Sequence, residues 1–174
     1  MRIKSLTYIT YQTFPAETAN SLQTISTVNY FIKNGLEVKL YFPLREKNSS
    51  DNKNELKKFY SVDEEIKFIG LKHKLPFGKI KFLELIWFHL SHFLWSRKNV
   101  ENIIKLSEPN EIFFTRSEWI LYFLAKQDKN VIFECHQTSK IKDWVLKKVS
   151  NNQKVKIIFL NSNLEKYYKN LNLN

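Results

Sequence analysis

The sequence predicts an α/β chain built on a doubly wound parallel sheet of about six strands with helices on both faces. Three observations carry this. Short apolar runs alternate with stretches whose apolar residues recur every three or four positions, the rhythm of strand–helix units. Residues 2–42 read as strand–loop–helix–strand, and a helical crossover makes its two strands parallel and its connection right-handed. The chain has 174 residues, 43% of them apolar, which is enough for one well-cored domain and too little for two. A single domain over residues 1–174 is therefore expected.

The elements follow in order. Arg2 to Thr10 alternates and is rich in Ile, Leu, Tyr and Thr, a first strand. The loop Tyr11 to Ala16 contains Pro15, which cannot continue a central strand. From Thr18 a helix is expected, with Leu22, Ile25, Val28 and Ile32 as its apolar stripe. Asn34-Gly35 ends it, Gly35 being suited to a left-handed cap. Leu36 to Phe42 is the second strand, ended by Pro43. Arg45 to Lys58 reads as a polar, exposed excursion. Glu65 to Leu71 is the third strand, and Lys72 to Gly78 is a basic loop with turn residues. Phe82 to Trp95 reads as a helix buried against the sheet, followed by a second helical piece from Val100 to Leu106. Glu111 to Thr115, Val131 to Glu134 and Lys154 to Leu160 are the remaining strands. Helices lie between them at Ser117 to Gln127 and around Ile141 to Val149, and after them from Asn161-Ser162-Asn163, which caps the last. The expected strand order is 3-2-1-4-5-6, with a switch point between the first and fourth strands.

Composition removes several function classes. The three glycines, Gly35, Gly70 and Gly78, lie too far apart for a phosphate-cradling loop of the P-loop or dinucleotide type. The single cysteine, Cys135, cannot form an internal disulfide. Met1 to Leu6 is too polar for a signal peptide, and no apolar run is long enough to span a bilayer. A cytoplasmic setting follows, with possible peripheral contact at the inner face of the cell membrane through Phe82 to Trp95 and its flanking Lys79, Lys81, Arg97 and Lys98. The net charge of +11 has two readings. It attracts phosphate, or it reflects AT-rich codons, since the lysines are spread rather than clustered.

In doubly wound sheets ligands bind beyond the carboxyl ends of the strands. Those ends supply Tyr11, Gln12, Thr13 and Phe14; Arg116 with Ser117 and Glu118; Glu134 and His136; and Asn161 with Ser162. Glu134 and His136 are two apart, so they share a side while strand geometry lasts. Helix capping or pairing with Arg116 is an equally weighted reading of Glu134, and packing is the competing reading of His136. Cys135 points away from its neighbours, which disfavours a thiol nucleophile. His89 and His92 have helical spacing for a metal but lack further ligands nearby, so no metal site is assigned.

These residues carry a resemblance. Tyr8-Ile9-Thr10-Tyr11, Phe14-Pro15, Ala19-Asn20-Ser21 and Gln23, then Gly35-Leu36-Glu37-Val38, resemble the N-terminal domain of the family 4 glycosyltransferases. Phe113-Phe114-Thr115-Arg116-Ser117 is similar to the family's strand end D-I-I-Y-T-R. Phe133-Glu134-Cys135-His136 is similar to its strand ending in an acidic residue, any residue, and histidine. Phe159 to Leu164 resembles its segment carrying S-x-x-L. The resemblance spans nearly the whole chain and rests on order and spacing.

It implies a Rossmann-like domain that is one half of a GT-B fold, and retaining, metal-independent transfer of a sugar from a nucleotide sugar to a glycan or lipid-linked acceptor. No cofactor is implied; the nucleotide sugar is a substrate. By the same resemblance, His136 is the catalytic residue approaching the reacting sugar. Gln12, Thr13 and Phe14 lie in a loop over the cleft, and Arg116 and Glu134 line the cleft or hold its shape. The first loop lacks the Gly-Gly of many members, so no donor-phosphate contact is assigned there. The family's donor-binding second domain lies outside these 174 residues. This chain is therefore expected to be the acceptor-side half, inactive alone. The alternative is a non-catalytic basic α/β module that binds nucleic acid or anionic membrane; the ordered resemblance outweighs it, and no nucleic-acid partner is expected.

Overall fold

The computed structural model describes residues 5–73 and 84–171. The strands are β1 (Ser5–Ile9), β2 (Glu37–Leu44), β3 (Lys67–Lys72), β4 (Ile112–Thr115), β5 (Asn130–Cys135) and β6 (Val155–Phe159). The helices are α1 (Ala19–Lys33), α2 (Lys53–Tyr60), α3 (Glu84–Lys105), α4 (Glu118–Lys126), α5 (Lys140–Val149) and α6 (Ser162–Asn170). One sheet holds the strands in the order β3-β2-β1-β4-β5-β6, as the sequence predicts. This is a Rossmann-like doubly wound α/β arrangement. The chain divides into two compact units, residues 1–95 and 96–174, each with its own core.

In the first unit β2 pairs in parallel with β1 and β3. Tyr8, Ile9, Val38, Leu40 and Phe42 are buried from the sheet, joined by Ile25 and Val28 of α1 and Leu56 of α2. The stripe of α1 differs from the expected one. Ser21 and Thr24 are buried with Ile25 and Val28, while Leu22 is exposed. Small side chains allow close approach to the sheet, and the Thr24 hydroxyl donates locally to the Asn20 carbonyl, 2.9 Å away, so its burial leaves no orphan. Thr18 caps this helix, and Gly35 takes the expected left-handed conformation, φ 84°.

Pro43 does not end β2; it pairs in register with Leu71. Tyr41 faces β1, since its carbonyl accepts from Thr10 N at 3.0 Å. Directions alternate along a strand, so the imino nitrogen of Pro43 also faces the β1 side, beyond the end of β1. No ladder hydrogen bond is lost there. The excursion after β2 contains α2, capped by Asn52, whose side chain accepts from Asn54 N and Glu55 N. The two helical pieces expected after residue 82 are one helix, α3; nothing between Trp95 and Val100 is a Gly or Pro to break it. Residues 2–4, most of the basic loop after Lys72, Lys79, Lys81 and the start of the helix at Phe82 lie outside the described residues.

In the second unit β5 pairs in parallel with β4 and β6. Phe113, Val131, Phe133 and Cys135 are buried against Ile120, Leu121 and Leu124 of α4 and Val145, Leu146 and Val149 of α5. Trp144 is exposed and lies beside Trp119 and Tyr122. Ser117, Ser139 and Asn161 cap α4, α5 and α6.

Gly70 is required by packing. A Cβ there would sit 2.6 Å from Leu44 Cδ2, 2.7 Å from Leu44 Cγ and 2.9 Å from Asp51 Cβ. Gly70→Ala is expected to cost about 1–3 kcal/mol, read as a lower urea midpoint. An unchanged midpoint would show that Leu44 swings aside without cost.

Candidate functional site

The predicted residues fall in both units. In the second, β4 and β5 run in register with Thr115 opposite Phe133. The next residues, Arg116 and Glu134, therefore stand side by side on one face. Arg116 Nε donates to Glu134 Oε2 at 2.8 Å. His136, two residues beyond Glu134, lies on the same side, as the alternation predicts. Its Nε2 is 2.9 Å from Glu134 Oε1, within ion-pair range. The ring is turned so that no directed hydrogen bond forms along that line. The three side chains are only 16%, 17% and 20% exposed, and His136 Nε2 itself is buried, so the group is fixed in place. One carboxylate thus holds a guanidinium and positions an imidazole.

The neighbouring strand-end residues have structural duties. Ser117 accepts from Ile120 N as a cap, and its own N–H donates to Thr115 Oγ1. Asn161 caps α6 by accepting from Leu164 N at 3.0 Å. Cys135 is buried on the other side of β5, and burial pushes its thiol above the ordinary range. Burial also pushes up the phenol of Tyr168, with Cys135 and Asp143 adding to the effect.

In the first unit the loop after β1 is anchored from beneath. Phe14 is fully buried, edge-on to Phe42 at 4.9 Å and Tyr60 at 6.0 Å, so it secures the loop from inside the core. Tyr60 OH donates to the Ala16 carbonyl and accepts from Ala16 N. Gln12 is half-buried, and its N–H donates to Thr10 Oγ1 at 3.1 Å. Thr13 is buried, its carbonyl accepting from the Ser21 hydroxyl at 3.4 Å. The Thr13 hydroxyl has no hydrogen-bond partner among the described residues.

A second cluster lies at the ends of β1, β2 and β3. Tyr11 OH is 2.7 Å from His73 Nε2 and 3.0 Å from Ser91 Oγ, and Ser91 Oγ is 3.2 Å from His73 Nε2. His92 stacks on the Tyr11 ring, centroids 4.0 Å apart and planes within 11°. Arg45 puts its guanidinium carbon 5.0 Å above the same ring. Arg45 was expected on an exposed excursion, yet its side chain is 13% exposed. Burial, reinforced by His89, Arg45 and His73 nearby, holds His92 well below the ordinary imidazole range. The sequence does contain a signal for Arg45 and His73: each is the first residue after its strand. Expectations centred on the switch point passed over the ends of β2 and β3.

Among the described residues no three His, Cys, Asp or Glu side chains are grouped to share a metal ion. Protein-family models, curated proteins and solved structures were all compared with the chain, and none matches.

His92 gives a pH signature. It stays neutral when folded and takes a proton when unfolded below about pH 6.5. The unfolded state then binds more protons, so stability falls as pH drops through that value. His92→Phe keeps the stacked ring without the titrating group. Its urea midpoint should fall less than the wild type's between pH 7.5 and 5.5. Equal losses would mean that His92 does not carry the effect.

Proposed function

We propose that the chain is the acceptor-side half of a retaining, metal-independent glycosyltransferase of the family 4, GT-B type. It would transfer a sugar from a nucleotide sugar to a glycan or lipid-linked acceptor. The observation that carries this reading is the Arg116–Glu134–His136 group at the end of β5. A directed bond from Arg116 holds Glu134, and Glu134 holds His136 by proximity while leaving its Nε2 without a directed partner. An imidazole so placed can donate to a sugar hydroxyl or exchange a proton with it. Arg116 and Glu134 are positioning residues in this reading. The donor is held by a second domain in this reading.

The test uses the full natural gene product with a panel of nucleotide sugars and glycan acceptors. His136→Ala should lower kcat by roughly a hundredfold or more, with an unchanged melting temperature. Wild-type-like transfer by that variant would remove His136 from the site.

A membrane-surface setting has its own support. Ile86, Trp87, Leu90 and Leu94 are exposed along one side of α3, so this helix is not buried all round as the sequence suggested. Arg97 and Lys98 further along it are also exposed. No helix among the described residues is long and apolar enough to cross a membrane. An exposed apolar row ending in basic residues suits an anionic bilayer surface. The protein should float with anionic vesicles at low salt and lose roughly tenfold in partitioning on Trp87→Glu. Sedimentation away from the vesicles would rule the setting out.

A further inference from the structure

We propose that the cluster at the carboxyl ends of β1, β2 and β3 is a binding site for a phosphate group carried on a ligand, with Arg45 and His73 as its principal contacts. The inference does not depend on sugar transfer. It starts from register. β2 and β3 pair with Leu44 opposite Lys72, so the next residues, Arg45 and His73, stand beside one another. Tyr11 OH lies 2.7 Å from His73 Nε2, and Ser91 completes a triangle of hydroxyls and imidazole on α3. Three strand ends and one helix therefore deliver a guanidinium, an imidazole and two hydroxyls to one place.

The residue types select the ligand. A guanidinium is always protonated and donates through a planar fork, so it cannot ligate a metal and fits a tetrahedral oxyanion. The hydroxyls of Tyr11 and Ser91 can each turn a proton toward an oxygen. The site is also preorganised. Arg45 rests on the Tyr11 ring, and that ring is pinned from its other contacts by the stacked His92, the edge of Phe88 and Trp95. An arginine already held in this way has less rotamer freedom to lose on binding.

Charge points the same way. His89, Arg45 and His73 each lie close enough to His92 to act on it electrostatically. Glu46 lies 3.4 Å from Arg45 with its side chain 53% exposed, a geometry in which a pair is largely solvent-screened. A phosphate dianion at this place would pair with the Arg45 guanidinium, where a neutral ligand would not.

The test is titration of the full chain, with imidazole-labelled histidines read by NMR, at about 0.15 M salt so that scattered surface lysines are screened. One arm uses inorganic pyrophosphate and a hexose 1-phosphate. The other uses phosphatidylcholine vesicles with and without phosphatidic acid. Saturable shifts of the His73 ring in the soluble arm assign a free phosphate ligand; shifts only with phosphatidic acid assign a lipid headgroup. Arg45→Gln should weaken binding roughly tenfold or more. Arg45→Lys keeps the charge without the fork and should also weaken it; it serves as the readout if Arg45→Gln fails to fold. No saturable shift in either arm, or unchanged affinity in Arg45→Lys and His73→Gln, would overturn the proposal.

Discussion

The parallel ladder is the constraint on which both clusters depend. In an antiparallel pair, successive residues beyond a strand end turn back on the same hairpin. In a parallel pair, both chains leave the sheet at one edge and in step. Whatever follows one strand is then set beside whatever follows its neighbour. Leu44 opposite Lys72 puts Arg45 beside His73, and Thr115 opposite Phe133 puts Arg116 beside Glu134. A one-residue slip would send each pair to opposite faces. Register is fixed in turn by the alternation of buried residues, such as Val38, Leu40 and Phe42 on β2 and Val131, Phe133 and Cys135 on β5. The hydrophobic pattern thus sets the geometry of the polar groups, though none of the polar groups belongs to it.

The same device gives opposite electrostatic results in the two units. At the ends of β4 and β5 a cation meets an anion. At low exposure this is the arrangement that tolerates burial, because removing either partner would leave the other charge desolvated. Beyond β2 and β3 a guanidinium meets an imidazole. The cost of bringing basic groups together there is met partly by keeping His92 neutral and partly by the Tyr11 ring beneath Arg45. A neutral pair is complete in itself. A basic pair on an aromatic support is the arrangement from which the phosphate proposal starts.

Sequence patterning located all six strands and their order because each strand is a short run of β-branched and aromatic residues bounded by polar turns. It failed where a residue's role depends on its neighbours. Pro43 looks like a terminator, but β1 ends early enough to leave its imino side unneeded. The Lys53–Tyr60 helix was hidden by its charge, although Asn52 followed by Glu55 has capping-box spacing. Thr24 reads as polar, yet its local hydrogen bond lets it pack. The Glu134/His136 pair was legible from the two-residue period alone. The cluster around Tyr11 was not, since His73, Ser91 and His92 are far from Tyr11 in sequence.

The orientation of His136 separates two kinds of histidine. A histidine kept for structure aims a ring N–H at an acceptor, since a buried donor without one is costly. His136 is 20% exposed and has a carboxylate 2.9 Å from Nε2, but its ring does not align with that oxygen. Glu134 spends its directed bond on Arg116 instead. The imidazole is thus held beside the carboxylate by proximity rather than by a directed bond. A strained structural bond would be improved by letting the ring rotate. A ring that serves a ligand would be held off the carboxylate, and the proposal of a ligand-facing His136 rests on that distinction.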